Sequence, residues 1–248
     1  MTGLFLFQLR RVGRNRQYLF FTVLLPALFT VFFTKIFGGP AGSAGRYQGF
    51  AATYMVSMMA YGALGAALGA TIRISFDRAS GWLRQLRVTP VPTSHVLTVD
   101  VVVGAVLTLP SLVVVALVGR FVNDVALGLG TWLALVGVLW AGSVAFVALG
   151  LLIGLSLDEK AAGGAIGIVG VVLATLGGLW VPVQVFPHSL QVVAHGLPSF
   201  WYAQLGRDVV DGAAPSVGAV LAVAAFTVGF AALAAVVGRL RPMYAVSG

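Results

Sequence analysis

The sequence predicts an all-α integral membrane protein with six transmembrane helices, and three observations lead there. Of its 248 residues, 59% are hydrophobic and only 9% charged, where a soluble domain carries roughly 25% charged residues. Mean hydropathy is +1.01. Apolar runs near the ~20 residues that cross a bilayer recur along the whole chain, separated by short polar or Gly- and Pro-rich stretches. A net charge of +8 is no sign of nucleic acid in such a chain, because basic residues gather in the cytoplasmic loops of membrane proteins. No cysteine is present, which removes disulfides, thiol catalysis and thiolate metal sites.

Residues 1–17 set Leu4, Phe5, Phe7, Leu9 and Val12 beside Arg10, Arg11, Arg14 and Arg16. A signal-peptide n-region would look similar, but the following apolar run is too long and more spans follow. The stretch reads as a basic amphipathic interfacial helix leading into an uncleaved first span, Tyr18 to about Phe37. Pro26 within it is tolerable in lipid if a neighbouring helix satisfies the carbonyl it frees. After a Gly-, Ala- and Ser-rich loop, the second span runs from about Phe50 to Ile72, with Gly62, Gly65 and Gly69 along one side. Such a side suits close helix packing, within the chain or against a second copy.

Residues 76–92 are a charged island between long apolar runs. Asp77, Arg78, Arg84 and Arg87 lie among Trp82, Leu83 and Leu86, which recur at helical spacing and share one face of a short helix. Pro90 pushes Thr89 out of helical geometry, so the helix ends near Val88. Such a helix lies flat on a membrane or fits a partner's groove.

The third span runs from about His95 to Val118, the fourth from Thr131 to Leu155 and the fifth, dense in glycine, from Ala162 to Trp180. Residues 181–215 differ. Pro182, Pro187 and Pro198 cut them into pieces too short to span, yet Val192, Val193, Leu197, Phe200, Trp201, Tyr202 and Leu205 are too apolar for a solvated loop. Short re-entrant or interfacial helices are expected, with Trp201 and Tyr202 as aromatic anchors. The sixth span is about Ser216 to Val237.

Counting charge orients the chain. One side holds Arg10, Arg11, Arg14, Arg16, Arg73, Arg78, Arg84, Arg87, Lys160, Arg239 and Arg241; the other has Lys35, Arg46, Arg120 and Arg207. The basic side, with both termini and the island, is expected to face the cytoplasm.

Chemistry is sparse. There is no His-Glu-x-x-His pattern, and no histidine lies at the depth of Ser143 to activate it. His188 and His195 could share a helix face but read as interfacial polar residues. Asp100 is the one carboxylate inside a span. Near the cytoplasmic end, it suits an ion pair with Arg73 or a loop arginine better than the midplane coupling site of a secondary transporter. Neither Lys35 nor Lys160 has a P-loop context. If transport is energised, another polypeptide supplies the energy and grips this chain from the cytoplasm.

The island, Asp77-Arg78-x-x-Gly81-Trp82-Leu83-x-x-Leu86-x-Val88-Thr89-Pro90, resembles the signature of ABC transporter permeases of the type-2 (drug, lipid and polysaccharide exporter) family. Asp77 stands where Glu is commoner and Trp82 where a small residue is usual. The resemblance extends over the chain, through the basic N-terminal helix, the six spans and the broken helices before the last span. It implies a type V ABC exporter-like fold, a single permease domain over 1–248 with a connecting helix at 1–17, a coupling helix at 76–90 and an external re-entrant segment at 181–215. It also implies a separate ABC ATPase subunit that binds ATP and Mg, with no cofactor on this chain, and a second permease copy in a homodimer or a similar partner chain. Asp77, Arg78, Gly81, Trp82, Leu83, Leu86 and Pro90 would then contact the ATPase. The low internal charge suits a hydrophobic or amphipathic substrate (drug, secondary metabolite or lipid) exported across the plasma or inner membrane, with Phe29, Phe33, Tyr54, Met58 and Met59 as candidate pathway residues. An ATP-independent transporter or channel, and a scaffold subunit that moves nothing, remain alternatives.

Overall fold

The computed structural model describes residues 15–38, 44–71, 74–76 and 93–240. The expected basic helix at 1–17 falls almost wholly outside the described residues, and so do positions 77–92 of the island. Among the described residues, six helices are long and apolar enough to cross a membrane: Phe20–Phe37, Tyr47–Phe76, Thr98–Phe121, Leu129–Ser156, Glu159–Leu176 and Val217–Arg239. Each falls on one of the six expected spans. The protein is a multi-pass membrane protein.

In chain order, α1 (Arg16–Leu19) leads through a π-helical turn (Phe20–Leu24) into α2 (Leu25–Phe37). Next come α3 (Ala44–Thr71) and α4 (Thr93–Phe121). The fourth span is divided into α5 (Leu129–Gly142) and α6 (Val144–Ser156), and α7 (Glu159–Leu176) is the fifth. A 3-10 turn (Val183–Val185), α8 (His188–His195) and α9 (Pro198–Val210) precede α10 (Val217–Leu240). Asp158 caps α7 by accepting from the Ala161 N–H at 2.8 Å, which satisfies one of the free donors of a helix start.

The second span is the axis of the bundle. In its most apolar stretch 82% of residues are buried, against 17% in the fifth span and 11% in the sixth. Met55, Met58, Met59, Leu64 and Leu68 fill the centre with Leu112, Leu135, Leu139 and Phe146. The outer spans present apolar faces instead, as hydrocarbon or a second apolar surface requires.

The first span shows how the bundle handles its irregularities. The π turn bonds the Leu25 N–H to the Phe20 carbonyl, and Pro26 has no N–H to offer the preceding turn. The Thr22 carbonyl, four residues back, accepts instead from Ser111 Oγ of α4 at 2.7 Å, in a buried setting. This is the rescue by a neighbouring helix that Pro26 demands. Gly62 makes room for it: a Cβ there would stand 2.0 Å from Ser111 Oγ and 2.9 Å from the Thr22 carbonyl. A Cβ at Gly69 would meet the Tyr18 ring at 2.8 Å, and Tyr18 Oη donates to the Ala66 carbonyl at 2.9 Å. The glycine side of the second span thus packs within the chain, against the first span.

Ser111→Ala should cost about 1–3 kcal/mol, the penalty for a buried acceptor left unpaired. In a Pro26→Ala background, which restores a backbone N–H, the same substitution should cost markedly less. Thermal unfolding of the four proteins in detergent reads this cycle; equal losses in both backgrounds would separate Ser111 from the proline.

Candidate functional site

The described polar chemistry concentrates where α2 ends and α3 begins, the end that also carries the turn after α7, α8 and α9. Leu197 and Pro198 start α9, the proline standing where a helix has no use for its missing N–H. Gln191 Nε2 donates to the Phe186 carbonyl at 2.9 Å and Trp201 Nε1 to the His195 carbonyl at 2.7 Å. His195, Phe200 and Trp201 meet as one cluster of tilted and edge-on rings. The expected short helices are present.

α8 stays mostly exposed, whereas α9 does not. α9 presses into the bundle and buries Ser199, Tyr202, Ala203, Gly206, Arg207 and Val209. Tyr202, expected as an interfacial anchor beside Trp201, is fully buried. Its Oη donates to the Leu139 carbonyl at 2.7 Å, its ring meets Phe146 edge-on at 5.1 Å, and burial pushes its phenol pKa up. The reason is local: the Gly142 Hα faces the ring, and a Cβ there would lie 2.9 Å from it. Ser199 Oγ donates to the Leu173 carbonyl of α7 at 2.7 Å. Trp201 stays half-buried, as an anchor would.

Arg207, counted above as a loop charge, is only 9% exposed. Its Nη2 donates to Ser57 Oγ of α3 at 3.1 Å and to the Gly178 carbonyl at 3.2 Å. Gly178 takes φ +74°, a left-handed conformation natural to glycine, and so turns its carbonyl to the guanidinium. Burial lowers the Arg207 pKa, while Asp208 and Asp211 act in the opposite sense.

The candidate pathway residues fall into two groups. Met58 and Met59 are fully buried in the central core. Phe29, Phe33 and Tyr54 join an aromatic ladder between α2 and α3, with Phe33 5.5 Å from both Phe29 and Tyr54, and Phe50 stacked on Tyr54 at 5.7 Å. Ser143 lies at the α5–α6 break, fully buried, donating to the Trp140 carbonyl at 2.6 Å and 3.3 Å from Thr108 Oγ1; it ties helices together. Asp100 is buried and engaged, and Arg73 lies outside the described residues. Asp77, Arg78, Gly81, Trp82, Leu83, Leu86 and Pro90 also lie outside them. Among the described residues no group of three or more His, Asp or Glu is placed to hold a metal.

Compared with known proteins, residues 3–210 match the family described as ABC-2 type transporter. The matched range includes the island and α9. The chain is also 29% identical over 212 residues, 84% of each chain, to the Bacillus subtilis (strain 168) protein named "Putative transport permease YvfS".

The seating of α9 yields a test. A Cβ at Gly206 would stand 2.7 Å from Val56 Cγ1 and 3.2 Å from Leu135 and Leu139, so side chains there force α9 away from α3 and α5. Gly206→Val should lower stability by about 1–3 kcal/mol through overpacking, read as a fall in thermal midpoint in detergent. Gly212→Ala, at a turn with open space around it but φ +78°, is the control for backbone strain without crowding.

Proposed function

The chain belongs to the ABC-2 type transporter family, and from that premise we propose that it is the permease subunit of an ATP-driven exporter, energised by a separate ATPase chain. The observation that carries the proposal is the conjunction of a six-span bundle with a family match that runs through the Asp77–Pro90 island. The island joins the second and third spans directly. The second span packs against the first, third, fourth and fifth spans and α9, and the sixth is held through α6 and α9, so a push delivered at the island reaches most of the bundle.

Trp82, Leu83 and Leu86 act as apolar anchors in the ATPase's groove, and Asp77 and Arg78 as orienting charges. Gly81 loosens the first turn of the expected helix, and Pro90 ends it near Val88. A single copy is filled at its centre by Met55, Met58, Met59 and Phe146, which favours a pathway between two copies over one through a single chain. Exposed Phe20, Leu24, Leu28, Phe32 and Ile36 form a stripe at four-residue spacing down the first span. Gly163, Gly164 and Gly167 of α7 have open space at their Cβ positions among the described residues. Both surfaces suit the approach of a second copy. In this arrangement Phe29, Phe33 and Tyr54 lie at the edge of the pathway, and Met58 and Met59 reach it only as α3 shifts. An apolar and aromatic lining suits a hydrophobic or amphipathic substrate. Both termini and the island face the cytoplasm in this reading, where the ATPase is.

The proposal is tested by co-purifying the protein from its native membrane in mild detergent and assaying ATP hydrolysis. A P-loop ATPase should accompany the wild type and be lost from a Trp82→Ala/Leu86→Ala double variant that still inserts. Asp77→Arg should abolish transport-coupled stimulation of ATP hydrolysis without affecting insertion. A stable, partner-free oligomer, or normal stimulation in Asp77→Arg, would refute the coupling role.

A further inference from the structure

A small, largely apolar cavity with a few polar groups opens beside Arg207, between the first half of α3 and the turn that follows α7. Phe50, Thr53, Tyr54 and Ser57 line it from α3, and Gln184 and Arg207 from the other side. It gives the centre of a water molecule about 40 Å³ to move in. That suits a small group with a water or two, and is far below the ~300–1,000 Å³ of pockets for drug-sized molecules.

Two buried groups among the residues that line the cavity, Arg207 Nε–H and Tyr54 Oη, have no hydrogen-bond partner. Arg207 is 9% exposed and uses Nη2 on two neutral oxygens, while its Nε–H has no partner. Asp208 does not neutralise it through a hydrogen bond: its Oδ1 accepts from Gln204 Nε2 at 2.7 Å and its Oδ2 from the Ser216 N–H at 2.7 Å. Asp211 acts on the guanidinium only through its charge. Tyr54 is 4% exposed, and its Oη likewise has no partner. A buried cation without a bonded anion costs several kcal/mol, and each unpaired buried donor adds to that. One kind of group answers all three deficits. An oxyanion supplies negative charge, accepts several hydrogen bonds and needs no donor, and the planar guanidinium fork is shaped for carboxylate and phosphate oxygens.

We propose that this cavity binds the oxyanion, carboxylate or phosphate, of a membrane amphiphile, held by Arg207 Nε–H and Tyr54 Oη. The apolar part of that molecule has a track beside it. Phe50 lines the cavity and stacks on Tyr54, Tyr54 meets Phe33 at 5.5 Å, and Phe33 stacks on Phe37 at 5.8 Å. Phe37 is 62% exposed, so the ladder leads from the anion site to the surface of the bundle. Basic pockets between membrane helices that hold anionic headgroups follow the same physical logic. A phospholipid and an exported amphiphile share this chemistry, as does a free anion.

The test is made on the full permease chain purified in detergent and stripped of lipid, so its outcome does not depend on an ATPase or on transport. The thermal midpoint is followed against oleate, phosphatidylglycerol, inorganic phosphate and monoolein, an uncharged amphiphile. Oleate or phosphatidylglycerol should raise the midpoint at concentrations where monoolein does not. Tyr54→Phe should weaken that binding by about tenfold, the order expected for one hydrogen bond to a charged group. The same substitution should leave the unliganded midpoint unchanged or higher, because the hydroxyl has no partner to lose. Arg207→Lys, which keeps the charge but loses the fork, should weaken it further. Stabilisation by inorganic phosphate alone would identify a free anion as occupant, retaining the oxyanion site but overturning the amphiphile. Equal response to monoolein, no response to any anion, or unchanged affinity in Tyr54→Phe would overturn the site.

Discussion

A backbone carbonyl inside a membrane has no water to turn to, and this constraint decides where the helices of the bundle are tied together. Regular helix satisfies its own backbone, so a cross-helix bond either takes up a carbonyl that an irregularity has freed or adds to one already bonded. Pro26 frees the Thr22 carbonyl and Ser111 takes it. The α5–α6 break leaves Leu139 available to Tyr202. The last turns of α7 offer Leu173 to Ser199 and, just beyond, Gly178 to Arg207. One turn before Pro110, the Ala105 carbonyl accepts from Trp140 Nε1 at 2.9 Å. At Pro26 the side chain replaces a missing backbone donor; the Leu139 and Leu173 carbonyls also accept the Ser143 and Gly177 N–H groups at 3.0 and 3.1 Å, so there the side chain takes a second lone pair. Polar side chains of this kind fix the register of helices whose remaining contacts are apolar.

That division explains what could be read from the chain. Span number and position follow from hydropathy alone, because the bilayer thickness sets the length of an apolar run. Pro26 even announced the kind of partner it needed. The placement of α9 was less visible, since Phe200, Trp201, Tyr202 and Leu205 are equally at home in an interface and in a core. A signal was present in the small and polar residues between them: Ser199, Ala203 and Gly206 with Tyr202 lie on one helical face. Large residues alternating with such small ones mark a face that fits against other helices. A membrane-interface helix has no need of a glycine under a tyrosine. The island offers no such comparison, because it lies outside the described residues and its role rests on its sequence and on the family match.

The burial of Arg207 also alters the charge count that orients the chain. Removed from the loop set, it leaves Lys35, Arg46 and Arg120 on the side opposite the island, against the same eleven on the other. The asymmetry favouring a cytoplasmic island grows. Charges that bias orientation act from water-exposed loops near the spans. A guanidinium folded against Ser57 acts within the protein instead.

The two places of interest on this chain then stand at opposite ends of one rod. Tyr54 and Ser57 lie in the first half of α3, and the span continues through Phe76 to the start of the island. Twenty-two residues of helix separate Tyr54 from Phe76, a distance of ~33 Å at ~1.5 Å per residue. Packed helices resist compression, so under the proposed coupling role a displacement at the island end of this span would be carried towards the Arg207 cavity. The Arg207–Ser57 bond, at 3.1 Å between α9 and α3, spans the seam across which that movement would be felt. A separation of α3 from α9 by about an ångström along that bond would stretch it past hydrogen-bond range. It would also carry Tyr54 Oη away from Arg207 Nε–H, the two donors assigned to one anion. If the island acts as proposed, α3 is the element that would join its input to the proposed anion site, and a ligand that needs both donors would be held in one position of α3 and released in the other.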